Sequence, residues 1–139
     1  MATIIDIGEA GDIHPRNKKD VGERLWLQAK KVAFGEDVLA SGPVFKEAKR
    51  EGNELILTFS EVGDGLKLSI GEEVKGFIVE DAEGQFELAK GLISGSNQVN
   101  LTIPEGFVPV GIRYAWADNP EINLFNSINL PTEPFRTSF

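Results

Sequence analysis

One histidine, His14, stands in Asp12-Ile13-His14-Pro15-Arg16-Asn17, two residues after one carboxylate and eight after another, Asp6. An imidazole beside a carboxylate is the base half of a hydrolytic triad. The ring takes a proton from a hydroxyl nucleophile, while the carboxylate fixes its tautomer and stabilises the imidazolium that forms. Either Asp12 or Asp6 could orient His14. The same residues also fit an ordinary solvated loop, where a lone histidine next to an aspartate needs no catalytic reason. The nucleophile half has no candidate: no Gly-x-Ser-x-Gly elbow occurs, and the seven serines from Ser41 to Ser138 fall in turns, strands or the tail. A single histidine with no cysteine makes no zinc ligand set, and the carboxylates lack calcium-loop spacing, so no metal or other cofactor is expected.

A second cluster is Arg113-Tyr114-Ala115-Trp116-Ala117-Asp118-Asn119-Pro120. Tyr114 and Trp116 share one face of a candidate strand, which fits a buried core with a polar rim. Alternatively Trp116 is an exposed platform for a sugar ring, with Asn119, Asn123 and Asn126 as amide partners. Arg113 falls on the opposite face and suits an ion pair with a glutamate or aspartate.

These residues need a scaffold. The β-branched run Thr3–Ile7 reads as a strand ending at Gly8, and Pro15 pushes His14 out of helical geometry. From Lys19 to Phe34, Val21, Leu25, Ala29 and Val32 recur at helical spacing; Asn17 or Asp20 caps the start, and Gly35 stops the run. Beyond Gly35 the pattern alternates. Val44–Lys49 and Asn53–Phe59 form a hairpin, followed by candidate strands at 66–70, 75–80, 85–90, 99–103 and 107–116, with turn residues between. Such regular punctuation predicts an antiparallel β-sandwich, placed after a strand-loop-helix unit. The boundary falls in 36–42, giving residues 1–36 and 37–139. The tail from Asp118, with Pro120, Pro131 and Pro134, reads as an extended loop along a sheet.

Composition narrows the classes. The chain has 139 residues, enough for one core, and a formal charge of −8, which repels nucleic acid and anionic lipid. No apolar stretch approaches the roughly 18 residues of a membrane span. Neither nucleic acid nor membrane is an expected partner.

Several strings occur in the order of one family. Asp6-Ile7-Gly8-Glu9, Asp12-Ile13-His14-Pro15-Arg16-Asn17-Lys18 with Asp20-Val21-Gly22, Ser41-Gly42-Pro43, Arg113 to Pro120, Asn123-Leu124, and Pro134-Phe135-Arg136-Thr137 together resemble the C-terminal part of sialate O-acetylesterases. The resemblance spans nearly the whole chain. It implies that residues 1–36 are the last strand-loop-helix of an SGNH-type α/β hydrolase domain, with His14 as its triad histidine and a β-rich region following. It also implies a serine nucleophile far upstream, an O-acetylated sugar as substrate, hydrolysis through an acyl-enzyme, and a periplasmic or secreted parent. SGNH hydrolases commonly place the triad aspartate three residues before the histidine, which is Gly11 here, so Asp12 and Asp6 both stay open. The chain by itself is expected to be inactive, as a fragment that lacks the serine and the oxyanion-hole glycine and asparagine. Outside this resemblance the residues also fit a non-catalytic carbohydrate-binding or structural β-sandwich, in which Trp116 and Asn119 contact the glycan.

Overall fold

A computed structural model describes residues 1–139. It is mainly β: helix α1 (Lys18–Ala33) precedes strands β1 (Val44–Glu51), β2 (Glu54–Ser60), β3 (Lys67–Leu68), β4 (Phe77–Glu80) and β5 (Phe86–Leu88). These are followed by β6 (Lys90–Ser94), β7 (Gln98–Thr102), β8 (Gly111–Tyr114), β9 (Leu124–Phe125) and β10 (Phe135–Ser138).

Helix α1 forms where the periodicity places it. The Asn17 side chain accepts from the Asp20 amide at 3.2 Å, closing the first turn. At the other end Gly35 takes φ +69°, and the Glu36 amide reaches back six residues to the Lys30 carbonyl at 3.1 Å, so a left-handed glycine just past the helix closes its last turn. Arg24 is the one buried residue of the helix, and Leu25, Trp26 and Val32 stay exposed.

Residues 3–7, expected as a strand, form a turn instead. A strand needs a neighbour for its backbone groups, and the chain offers none there. The segment is held by a side chain: Arg24 donates to both Asp6 carboxylate oxygens, at 2.6 and 2.7 Å, and to the Thr3 carbonyl at 2.8 Å.

The β region is a sandwich of two four-stranded antiparallel sheets, ordered β1-β2-β7-β6 and β10-β8-β4-β5, with β3 and β9 paired at the side. Alternation decides the core. Leu55, Leu57, Phe59, Val99 and Leu101 from the first sheet meet Phe77, Val79, Ile112 and Tyr114 from the second, all buried. Phe135 stacks on Phe45 at 4.3 Å between ring centres, and Tyr114 faces it at 5.8 Å.

Two further sequence expectations need correcting. The strand foreseen at 107–116 is confined to Gly111–Tyr114, because Val108 turns outward and Ala115 adopts φ +53°, which ends the alternation. The tail is not merely an extended loop: Phe135–Ser138 completes the second sheet by pairing with β8. Where the tail meets residues 40–43, a Cβ on Gly42 would collide with the Pro131 backbone carbonyl, so only glycine fits there.

Candidate functional site

The structure brings Asp12 and His14 together. A short bridge between Glu9 and Asp12 folds the loop on itself, and the Glu9 carboxylate accepts from the Arg16 amide at 2.9 Å. Within it Asp12 Oδ1 accepts the His14 backbone N–H at 2.9 Å and lies 3.5 Å from His14 Nδ1. This local turn, an aspartate capping the amide two residues on, is what aspartate before a His-Pro pair readily makes. It sets the carboxylate beside Nδ1, the ring atom that an orienting acid must address, and leaves Nε2 unengaged.

Asp6 stands elsewhere. Both of its oxygens are taken by Arg24, with the two side chains only 12% and 10% exposed. That fork-to-fork pair is geometrically strong and leaves Asp6 no free lone pair aimed at the imidazole. The sequence puts Asp12 first and Asp6 second for this role, and spacing does not reveal that Arg24, eighteen residues on from Asp6, engages that carboxylate.

The His14 side chain is 82% exposed, and Ile13 beside it is 91% exposed. No hydroxyl of the chain hydrogen-bonds to the ring. The exposed Leu25, Trp26 and Val32 of α1 and Phe34 just after it form an uncovered apolar surface in the same N-terminal unit, with Trp26 edge-on to Phe34 at 5.8 Å.

In the second cluster, Arg113 pairs with Glu80 at 2.8 Å and lies over the Phe86 ring at 4.5 Å, the ion-pair role expected for it. Tyr114 is core. Burial pushes its phenol well above the ordinary range, with the nearby Asp6 charge adding in the same direction. Its hydroxyl has no hydrogen-bond partner of normal geometry, since the neighbouring Thr132 hydroxyl donates to the Leu124 carbonyl at 3.0 Å. Trp116 leaves the core face and is 52% exposed, and Asn119 is exposed on the turn after it.

Asn123 and Asn126, read above as amides for a sugar, are fully buried and spent on the backbone. Asn126 donates to the Ser41 and Glu61 carbonyls and accepts from the Ile128 and Leu130 amides, which uses its bonding capacity. Asn123 accepts from the Lys75 amide and donates to the Ile70 and Glu73 carbonyls. Loop ends inside a sandwich leave backbone groups that need partners, and these two amides supply them.

No group of histidine and carboxylate side chains converges as a metal site, and no helix is long and apolar enough to cross a membrane.

No family model and no curated protein matches the chain. Among solved structures, a crystal structure of a novel carbohydrate acetylesterase from Xanthomonas citri matches with a TM-score of 0.90 and 43% identity over 99% of this chain. This chain spans 32% of the length of that protein.

Proposed function

We propose that this chain is the C-terminal part of a carbohydrate O-acetylesterase similar to sialate O-acetylesterases. In it His14 is the general base, Asp12 orients it, and a serine nucleophile comes from a preceding SGNH-type domain outside these residues. The observation that carries the reading is the Asp12–His14 pair in an uncovered loop of a chain that is 43% identical to part of a carbohydrate acetylesterase.

The geometry suits acyl transfer. Nε2 of His14 accepts the serine proton as its oxygen attacks the acetyl carbonyl, and returns it to the sugar hydroxyl that leaves. Water then attacks the acyl-enzyme, giving its proton to Nε2, and acetate departs as the serine regains a proton. Asp12 holds Nδ1–H through both halves and stabilises the imidazolium. Residues 1–36 belong to the catalytic domain in this reading and 37–139 form the sandwich behind it. The substrate is an O-acetyl ester on a sugar, a sialic acid or a plant polysaccharide, met in the periplasm or outside the cell.

The test uses both forms. In a full-length enzyme containing this chain, His14→Ala and Asp12→Asn are each expected to lower kcat for acetate release by about 10⁴-fold, while Asp6→Asn acts on stability. The 139-residue chain alone is expected to leave p-nitrophenyl acetate at the buffer rate. His14-dependent turnover by the chain alone, or full activity in His14→Ala, would overturn the proposal.

A further inference from the structure

A cavity of about 810 Å³ lies well apart from His14 in the sequence, between the loop at 71–76, the start of β4, Leu88 to Lys90 and the segment Ala115–Glu121. Nothing in the proposed chemistry uses it.

Its construction is specific. Ala115 holds φ +53°, a left-handed conformation that a residue with a Cβ adopts at a cost, and its amide donates to the Gly76 carbonyl at 2.9 Å. The consequence is local: the next side chain, Trp116, departs from the core face that Tyr114 occupies and lines the cleft, half-exposed. Straightening this residue would allow the indole to follow the alternation inward, so the strain buys an exposed aromatic ring. The opposite wall is rigid, because buried Asn123 ties it at three points, the Lys75 amide and the Ile70 and Glu73 carbonyls. A wall fixed before binding loses little freedom when a ligand arrives. Leu88, 79% exposed, adds an apolar surface.

Charge selects the ligand. Lys75 pairs with Glu121 and Lys90 with Glu73, which leaves Glu72 as the unpaired charge lining the cleft, on a chain of net charge −8. An anionic sugar would meet a lining of three carboxylates against two lysines, each lysine already beside a carboxylate. A neutral pyranose presents apolar C–H faces to an aromatic ring and hydroxyls to the paired charges at the rim.

We infer that the Trp116 cleft is a binding subsite for a neutral glycan chain. The inference rests on the carbohydrate-esterase reading for its ligand class and narrows it, since it favours a neutral polysaccharide over a sialoside. Asn119 lies outside the cleft lining and is not required.

The test is a titration of the 139-residue chain carrying Trp26→Phe, in which Trp116 is the sole fluorophore of its kind. Cellohexaose, xylohexaose and mannohexaose are the neutral probes and 3′-sialyllactose the anionic one. At least one neutral hexamer is expected to give a saturable fluorescence change at about millimolar concentration or below. By calorimetry, Trp116→Ala and Leu88→Asp should each weaken that binding about tenfold or more, with unchanged circular dichroism; sialyllactose should bind about tenfold more weakly. No saturable change with any neutral hexamer up to about 10 mM, undiminished binding by Trp116→Ala, or sialyllactose binding as tightly as the neutral probes would overturn the inference. His14-dependent acetate release by a full-length enzyme reads the esterase proposal separately, so a cleft that binds nothing in a protein whose His14 is required defeats this inference alone.

Discussion

The buried Arg24–Asp6 pair is the joint on which the His14 loop hangs, and its removal has a calculable outcome. Beside it, Ile5 packs against the hydrophobic core. The 16-residue helix would be marginal in water alone, its exposed face carries Leu25, Trp26 and Val32, and it reaches the sandwich through Gln28 to Ala40 and Ser41 and through Lys31 to Glu61. In Asp6→Ala, the Arg24 guanidinium keeps only the Thr3 carbonyl while about nine-tenths buried. Breaking such a pair costs about 3–5 kcal/mol because a charge is left uncompensated. A loss of about 3 kcal/mol corresponds to a little over a hundredfold in a local opening equilibrium. Hydrogen exchange followed by mass spectrometry should therefore show amides of α1 exchanging about 100-fold faster, with those of β2 and β7 changed less than about twofold. The double variant Asp6→Leu, Arg24→Met should recover most of the protection, since no charge is then stranded. Acceleration in α1 below about threefold, or a double variant as loose as the single one, would refute the reasoning.

Other outcomes follow from single buried groups. Tyr114 is the only tyrosine, so absorbance of the phenolate reports it alone. Its folded pKa is raised above the unfolded value of about 10, so the stability it contributes is complete below about pH 10 and is lost as pH rises beyond that. The native chain should show no phenolate at about pH 10.5 and release it on unfolding, and the alkaline fall in denaturation midpoint should shrink in Tyr114→Phe. At neutral pH, Tyr114→Phe should change stability by less than about 1 kcal/mol or raise it, because the hydroxyl has no partner to lose; a larger loss measured in urea would contradict the assignment. Asn126→Leu should cost about 3 kcal/mol or more by stranding two carbonyls and two amides, whereas Asn119→Ala, on an exposed turn, should shift stability by less than about 0.5 kcal/mol.

The fold was legible wherever one period ran between clear stops. Helix α1 had both its spacing and its caps in Asn17 and Gly35, and the β1–β2 hairpin had Glu51-Gly52-Asn53 between alternating runs. Legibility failed where a residue's fate depends on something distant. Thr3–Ile7 has strand composition, but composition does not show that no partner strand is present and that Arg24 will hold the segment instead. Prolines at 120, 131 and 134 suggested a loop, yet they stop short of Phe135–Ser138, which is free to donate to β8. The pairing of Asp12 with His14 was readable, being a two-residue turn. The engagement of Asp6 by Arg24 and the burial of Asn123 and Asn126 were not, since each turns on backbone or side-chain groups from another part of the chain.

Under the proposed function, the His14 loop and the Trp116 cleft are built in opposite ways. The His14 loop is built to be covered: its pair is set, its surroundings are bare, and the helix behind it presents apolar side chains that water disfavours. The Trp116 cleft is built to stay open, with its wall already tied by Asn123 and its aromatic ring held out by a strained residue. Deep burial of Trp116 would remove the reason for strain at Ala115, and Ala115→Gly gives a way to see it. Glycine adopts that φ freely, so the substitution should leave glycan binding intact while stability changes by no more than about 1 kcal/mol. Loss of binding in Ala115→Gly with the fold retained would mean that the Ala115 methyl itself contacts the sugar, and that strain at this position does not account for the exposed indole.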